Sequence, residues 1–230
     1  MEIVISIIMI LVGFSVLLKL TYLPIGGRIA IGLILALFVG FSWNFAANQS
    51  KTQIAGWIGN PELMLDMAVI LTVDVFLQNT FCITSSGLVF GERLSRSTAI
   101  IHAVCQWIPS ILIFPVLLAL LVEVIFSFPG FDFTTIAWIL ASIISIICIA
   151  LPYLIKIILP EEDLRLELIF MVNALIALLG VVATVNGRTA VTGTNSVDIK
   201  TLAGVILLFI VGATAGYVFF KRKQNKLINQ

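Results

Sequence analysis

Long apolar runs, separated by short polar or proline- and glycine-containing breaks, recur along the whole chain. A membrane-spanning helix needs roughly 20 consecutive, mostly apolar residues. Seven runs reach or approach that length, at about 3–23, 29–47, 62–84, 98–125, 135–159, 166–185 and 201–220. They are continuously apolar, without the alternation that marks the strands of a membrane barrel. The expected fold class is therefore all-α: a polytopic membrane helix bundle of seven transmembrane helices, forming a single integral membrane domain with a basic tail at 221–230.

The breaks carry their own signals. Pro24-Ile25-Gly26-Gly27-Arg28 predicts a tight turn. The polar segment from Asn48 to Pro61 holds Ile54, Trp57 and Ile58, a pattern for a short interfacial helix. Asn60-Pro61-Glu62 reads as a helix start, with a capping Asn, Pro at the first helical position and an acid in the first turn. Pro160-Glu161-Glu162-Asp163 reads as another, with acids on the positive end of the helix dipole. Pro109 and Pro115 predict a kink in the fourth span. Small residues at four-residue spacing, Gly32, Ala36 and Gly40, followed by Asn44, give the second span a smooth ridge for close helix packing; Gly212 and Gly216 do the same in the seventh.

Composition agrees with this pattern. The chain is 60% hydrophobic and 11% charged, against about 45–50% and about 25% for soluble domains. A net charge of +1 gives no indication of nucleic-acid binding. Of 13 basic residues, ten fall on the side that includes the C-terminal tail: Lys19, Arg28, Arg93, Arg96, Lys156, Arg165, Lys221, Arg222, Lys223 and Lys226. Only Lys51, Arg188 and Lys200 fall on the other. The positive-inside rule then predicts an outer N-terminus and a cytoplasmic C-terminus. The first run lacks a basic leader and a small-residue cleavage site, so a retained span is expected. Cys82, Cys105 and Cys148 lie inside apolar runs without CxxC spacing and are expected to be small buried side chains.

Polar residues within the runs are the candidates for function. The third span, DMAVILTVDVFLQNTFC, carries two acids. An ionised carboxylate at mid-bilayer costs about 2.5–3.5 kcal/mol on insertion scales and usually faces a bundle interior or a wet cavity. At about 100° per residue, Asp66, Ile70, Asp74 and Gln78 form one slanted stripe, with Asn79 beside it. The turn to the fourth span centres near Gly91. That places Asp74 level with Gln106 to Ser110, and Gln78 and Asn79 level with His102 to Cys105. His102 and Gln106 share a helix face. One polar layer of Asp74, Gln78, Asn79, His102 and Gln106 is expected, with Asp66 secondary and Glu123 an interfacial acid. Such a layer can relay a proton or ion, line a substrate pathway, or act as structural glue within the bundle or against a partner. Glu161, Glu162 and Asp163 form an acidic patch, either a solvated helix start or a docking site for a basic partner.

No cofactor is expected. The lone His102 cannot make a bis-His haem site, no Met is suggestively spaced from it, and zinc would lack ligands. Ser85-Ser86-Gly87 resembles a fragment of an intramembrane serine protease site but falls at a helix end, without a suitably placed His. HExxH, paired-aspartate and Walker motifs are absent from the sequence. A non-enzymatic transport or ion-motive-force-coupled subunit is the leading expectation, ahead of a stand-alone small-solute secondary transporter and of an intramembrane enzyme.

The size, the seven-span layout and DMAVILTVDVFLQNTFC together resemble the small polytopic membrane protein of bacterial haem-uptake systems, the HmuT type. The resemblance implies a subunit of the bacterial cytoplasmic membrane that works with other membrane subunits. These would include a MotA/TolQ/ExbB-like proton-channel subunit and a large chelatase-like protein, in a complex driven by the proton motive force that handles haem or a related tetrapyrrole.

Overall fold

A computed structural model describes residues 2–49, 61–89, 95–128 and 130–185, all within one compact unit, Met1–Asn186. The expected interfacial segment beyond Asn48, the seventh span with Gly212 and Gly216, and the basic tail lie outside the described residues. Those described form eight helices and no strands. They are α1 (Glu2–Leu20), α2 (Ile25–Phe41), α3 (Trp43–Ala47), α4 (Pro61–Val89), α5 (Arg96–Trp107), α6 (Ile113–Ser127), α7 (Phe133–Ile158) and α8 (Glu162–Val185).

Four of these, α1, α4, α7 and α8, are long and apolar enough to cross a membrane. Two shorter apolar helices, α2 and α6, join them. Large apolar side chains on α7, among them Ile139, Ile146, Tyr153 and Ile157, point outward. In water this would be a liability; in a bilayer it is the ordinary state of a spanning helix, so the chain is read as a multi-pass membrane protein.

Local sequence sets the helix ends. Ser95 caps α5 by accepting from the Thr98 N–H, and Asp132 caps α7 by accepting from the Thr135 N–H. α4 starts at Pro61, and α8 carries Glu162 and Asp163 in its first turn. The second run divides at Ser42 into α2 and the short α3.

Two close pairings dominate the packing, α2 against α7 and α4 against α8, with α1 also against α8. Glycines set the first of these. A Cβ on Gly32 would lie 3.3 Å from Cys148 Cβ, and one on Gly40 would lie 3.1 Å from the Trp138 ring. The ridge on α2 thus lets the two backbones approach. Ser15 Oγ donates to Asn173 Oδ1 at 3.3 Å between α1 and α8, and Asn173 Nδ2 returns to its own helix at Ile169 O. All three cysteines are free and buried.

The fourth run is two helices, where one kinked helix was expected. α5 stops at Trp107 and α6 begins at Ile113. Pro109 cannot donate to the helical ladder, and it forces the residue before it away from helical angles. Ile108 is accordingly extended, at φ −78° and ψ 111°. The chain between the helices lies within the bundle, where its free backbone groups need partners.

A charge pair seated on a broken helix

Two charged side chains supply those partners. Ile108 O receives a hydrogen bond from Lys19 Nζ at 2.7 Å. On the other side of the break, the Ile111 N–H donates to Asp74 Oδ1 at 2.7 Å, and Ser110 Oγ donates to Asp74 Oδ2 at 2.7 Å. The electrostatics match. The end of α5 carries partial negative charge and meets an ammonium; the start of α6 carries partial positive charge and meets a carboxylate.

Gln78 joins the two charges. Its Oε1 accepts from Lys19 Nζ at 2.7 Å, and its Nε2 donates to Asp74 Oδ1 at 3.2 Å. Gln78 stands one turn beyond Asp74 on α4, so both face α1 and the break. All three are removed from the surface: Lys19 is 3% exposed, Asp74 2% and Gln78 1%. The Lys19 ammonium also lies 5.0 Å from the centre of the Phe81 ring, a favourable cation–π distance.

Phe81 connects this pair to His102. The two rings stack with centroids 5.7 Å apart and planes 14° apart. His102 Nδ1 pairs with Thr84 Oγ1 at 3.1 Å, and the Thr84 hydroxyl also lies within donating distance of Thr80 O. If the hydroxyl proton goes to Thr80 O, the ring must present Nδ1–H to Thr84. Ser85, the neighbour with the protease-like signature, is buried with an unpartnered Oγ and no bond to His102.

The expected layer is therefore only partly assembled. Asp74 and Gln78 come together, at the level of Ser110. His102 sits against Thr84, six residues and so nearly two turns beyond Gln78 on α4. Gln106 turns away to donate to Tyr22 O at 3.0 Å. Asn79 is half-buried and its Oδ1 has no partner. Asp66 is exposed and does not join Asp74, and Glu123 is exposed as well. Among the described residues no group of three His, Cys, Asp or Glu could hold a metal ion.

Four contributors lie outside the expected layer: Lys19, Ser110, Ile108 and Ile111. By pattern alone Lys19 belongs with the basic residues on the cytoplasmic side. A signal for it existed: Leu20 to Leu23 continue past it before Pro24, and a buried acid in span three calls for a cation nearby. Ser110 and the backbone of Ile108 and Ile111 could have been suspected from Pro109, which frees a carbonyl and an N–H wherever it interrupts a buried helix.

At the end of the bundle where the α1–α2 and α7–α8 turns meet, two buried arginines close the helix ends. Arg28 donates to the carbonyls of Leu20, Thr21 and Leu23, and Arg165 to those of Leu159 and Pro160. Each comes from the helix that follows the turn it caps. Tyr22 ties the two turns together by donating to Glu162 O at 2.6 Å. Its hydroxyl, pushed up to about 12 chiefly by burial, remains a donor. Glu161, Glu162 and Asp163 are exposed, with Glu162 3.6 Å from Arg165.

Comparisons of the chain with protein-family models, curated proteins and solved structures returned no match. The site stands on its own geometry.

Proposed function

We propose that the chain is a non-enzymatic, seven-span subunit of a transport complex in the bacterial cytoplasmic membrane, oriented N-terminus out and C-terminus in, in which Lys19, Gln78 and Asp74 couple ion movement to transport. One observation carries this reading: opposite charges sit on the two free ends of a broken helix, joined by an amide. Buried ion pairs are often dispensable for stability, because apolar replacements of similar volume serve as well or better. Ionisable groups inside a membrane more commonly mark ion pathways and proton relays, and interrupted helices place backbone groups at the ion sites of transporters. With Lys19 in the interior, nine basic residues still stand against three, which supports the orientation. The partners are those the resemblance implies, a proton-channel subunit and a large chelatase-like protein, and the cargo is haem or a related tetrapyrrole. The acidic patch Glu161, Glu162 and Asp163 is exposed, with Glu162 also paired to Arg165, and supports docking of a basic partner.

The decisive variant removes both charges at once, Lys19→Met with Asp74→Asn. Isolated in mild detergent, it retains the co-purifying subunits seen by mass spectrometry with the wild type. Haem uptake driven by an imposed proton gradient falls at least about tenfold. Uptake at the wild-type rate would remove the coupling role, and loss of the co-purifying subunits would make the pair an assembly element.

The helix break also favours a second reading, a stand-alone secondary transporter using the same groups. Transport by the purified chain alone in liposomes would select it over the obligate subunit.

A further inference from the structure

Lys19 Nζ is held as a free cation would be. Two of its hydrogen bonds go to uncharged carbonyl oxygens, the amide Gln78 Oε1 and the backbone Ile108 O, each at 2.7 Å. A π face, Phe81, lies 5.0 Å away. The balancing negative charge, Asp74, is bound to the other end of the same amide. Carbonyl oxygens can take the place of waters in the hydration shell of an alkali cation, two are present here, and the residue type that fills the space is the one whose charge is a compact ammonium on a flexible stem.

We infer that Lys19 is a tethered cation occupying an alkali-cation seat formed by Gln78 Oε1, Ile108 O and the Phe81 ring, with Asp74 as counter-charge. The inference rests on the coupling site proposed above. While the lysine fills the seat, Na⁺ and K⁺ are excluded from it. Without the lysine, Asp74 is left buried without its cation. The carbonyls of Gln78 and Ile108 lose their donor, and an alkali cation restores charge balance and ligation together.

The test is binding, read without transport. Purified wild type, Lys19→Ala and Lys19→Ala with Asp74→Asn are melted in choline, Li⁺, Na⁺ and K⁺ chlorides at equal ionic strength. The wild type melts at the same temperature in all four. Lys19→Ala gains a saturable rise of roughly 3–5 °C at about ten times the dissociation constant in at least one alkali salt. The added Asp74→Asn abolishes that rise. Equal melting of Lys19→Ala in every salt overturns the inference, as does a rise already present in the wild type or one that survives Asp74→Asn. Should Lys19→Ala fail to fold in choline, the readout becomes monodisperse protein recovered after solubilisation. Recovery in an alkali salt but not in choline supports the seat, and failure in all four salts overturns it. A cation effect in a chain that moves no cargo would remove the proposed function and leave the seat. Proton-driven uptake without a cation effect would do the reverse.

Discussion

At the residue scale, the fate of each charge depends on the other. Removing one member of a buried pair leaves an uncompensated charge, at a cost of about 3–5 kcal/mol, whereas removing both often costs little. Asp74→Asn alone should therefore destabilise the folded protein by about 3–5 kcal/mol, and adding Lys19→Met should restore most of the loss. Unfolding of the three variants in mixed micelles measures this coupling; simply additive losses would mean that the charges do not sense each other. The sequence exposed Asp74 and Gln78 because a carboxylate in an apolar run has no ordinary explanation. It hid Lys19 because a lysine one turn from a helix end has a very ordinary one, that of reaching for the headgroups. Only the arrival of Gln78, Phe81 and the Ile108 carbonyl beside the end of α1 turns that side chain inward.

At the element scale, adjacency was legible and phase was not. A short connection between α4 and α5 places them side by side, and the level of Asp74 against Ser110 follows from residue counting. The partners of His102 and Gln106 do not follow: His102 meets Phe81 and Thr84 further along α4 than counting from the turn gives, and Gln106 depends on where the Tyr22 carbonyl arrives from the α1–α2 turn. Pro109 was legible as a disturbance, but whether a proline bends or divides a helix depends on whether something else binds the freed groups. Gly40 was legible as a packing residue, and the distances give it a cost. Gly40→Leu drives a side chain into the Trp138 ring, 3.1 Å from the first added atom, and should destabilise by about 1–3 kcal/mol. Gly13→Ala in α1 meets nothing within 4 Å and should stabilise by about 0.5–1 kcal/mol through helix propensity. Thermal unfolding of both variants in detergent checks the contrast; a destabilised Gly13→Ala would show that another surface covers that face.

At the scale of the whole molecule, the strongest sequence signal was the recurrence of apolar runs, because the bilayer sets one length for every span. The proposed orientation makes a direct statement about the two faces. Green fluorescent protein fused after Gln230 should fluoresce, and alkaline phosphatase inserted at Lys51 should be active, since the two report opposite sides. Exchange of those signals would invert the topology.

The division between α5 and α6 also bears on how such a molecule moves. Twelve and fifteen residues make rods of about 18 and 22 Å, neither long enough to cross a 30 Å core alone. To tilt one end of a continuous helix, its whole ladder must swing or be broken. Between these rods the joint is instead the clasp at Ile108 to Ile111, held by a lysine, an aspartate and a serine. Neutralising either charge loosens the joint without unwinding a turn. The joint between these two half-length helices is held by side chains rather than by a helical ladder.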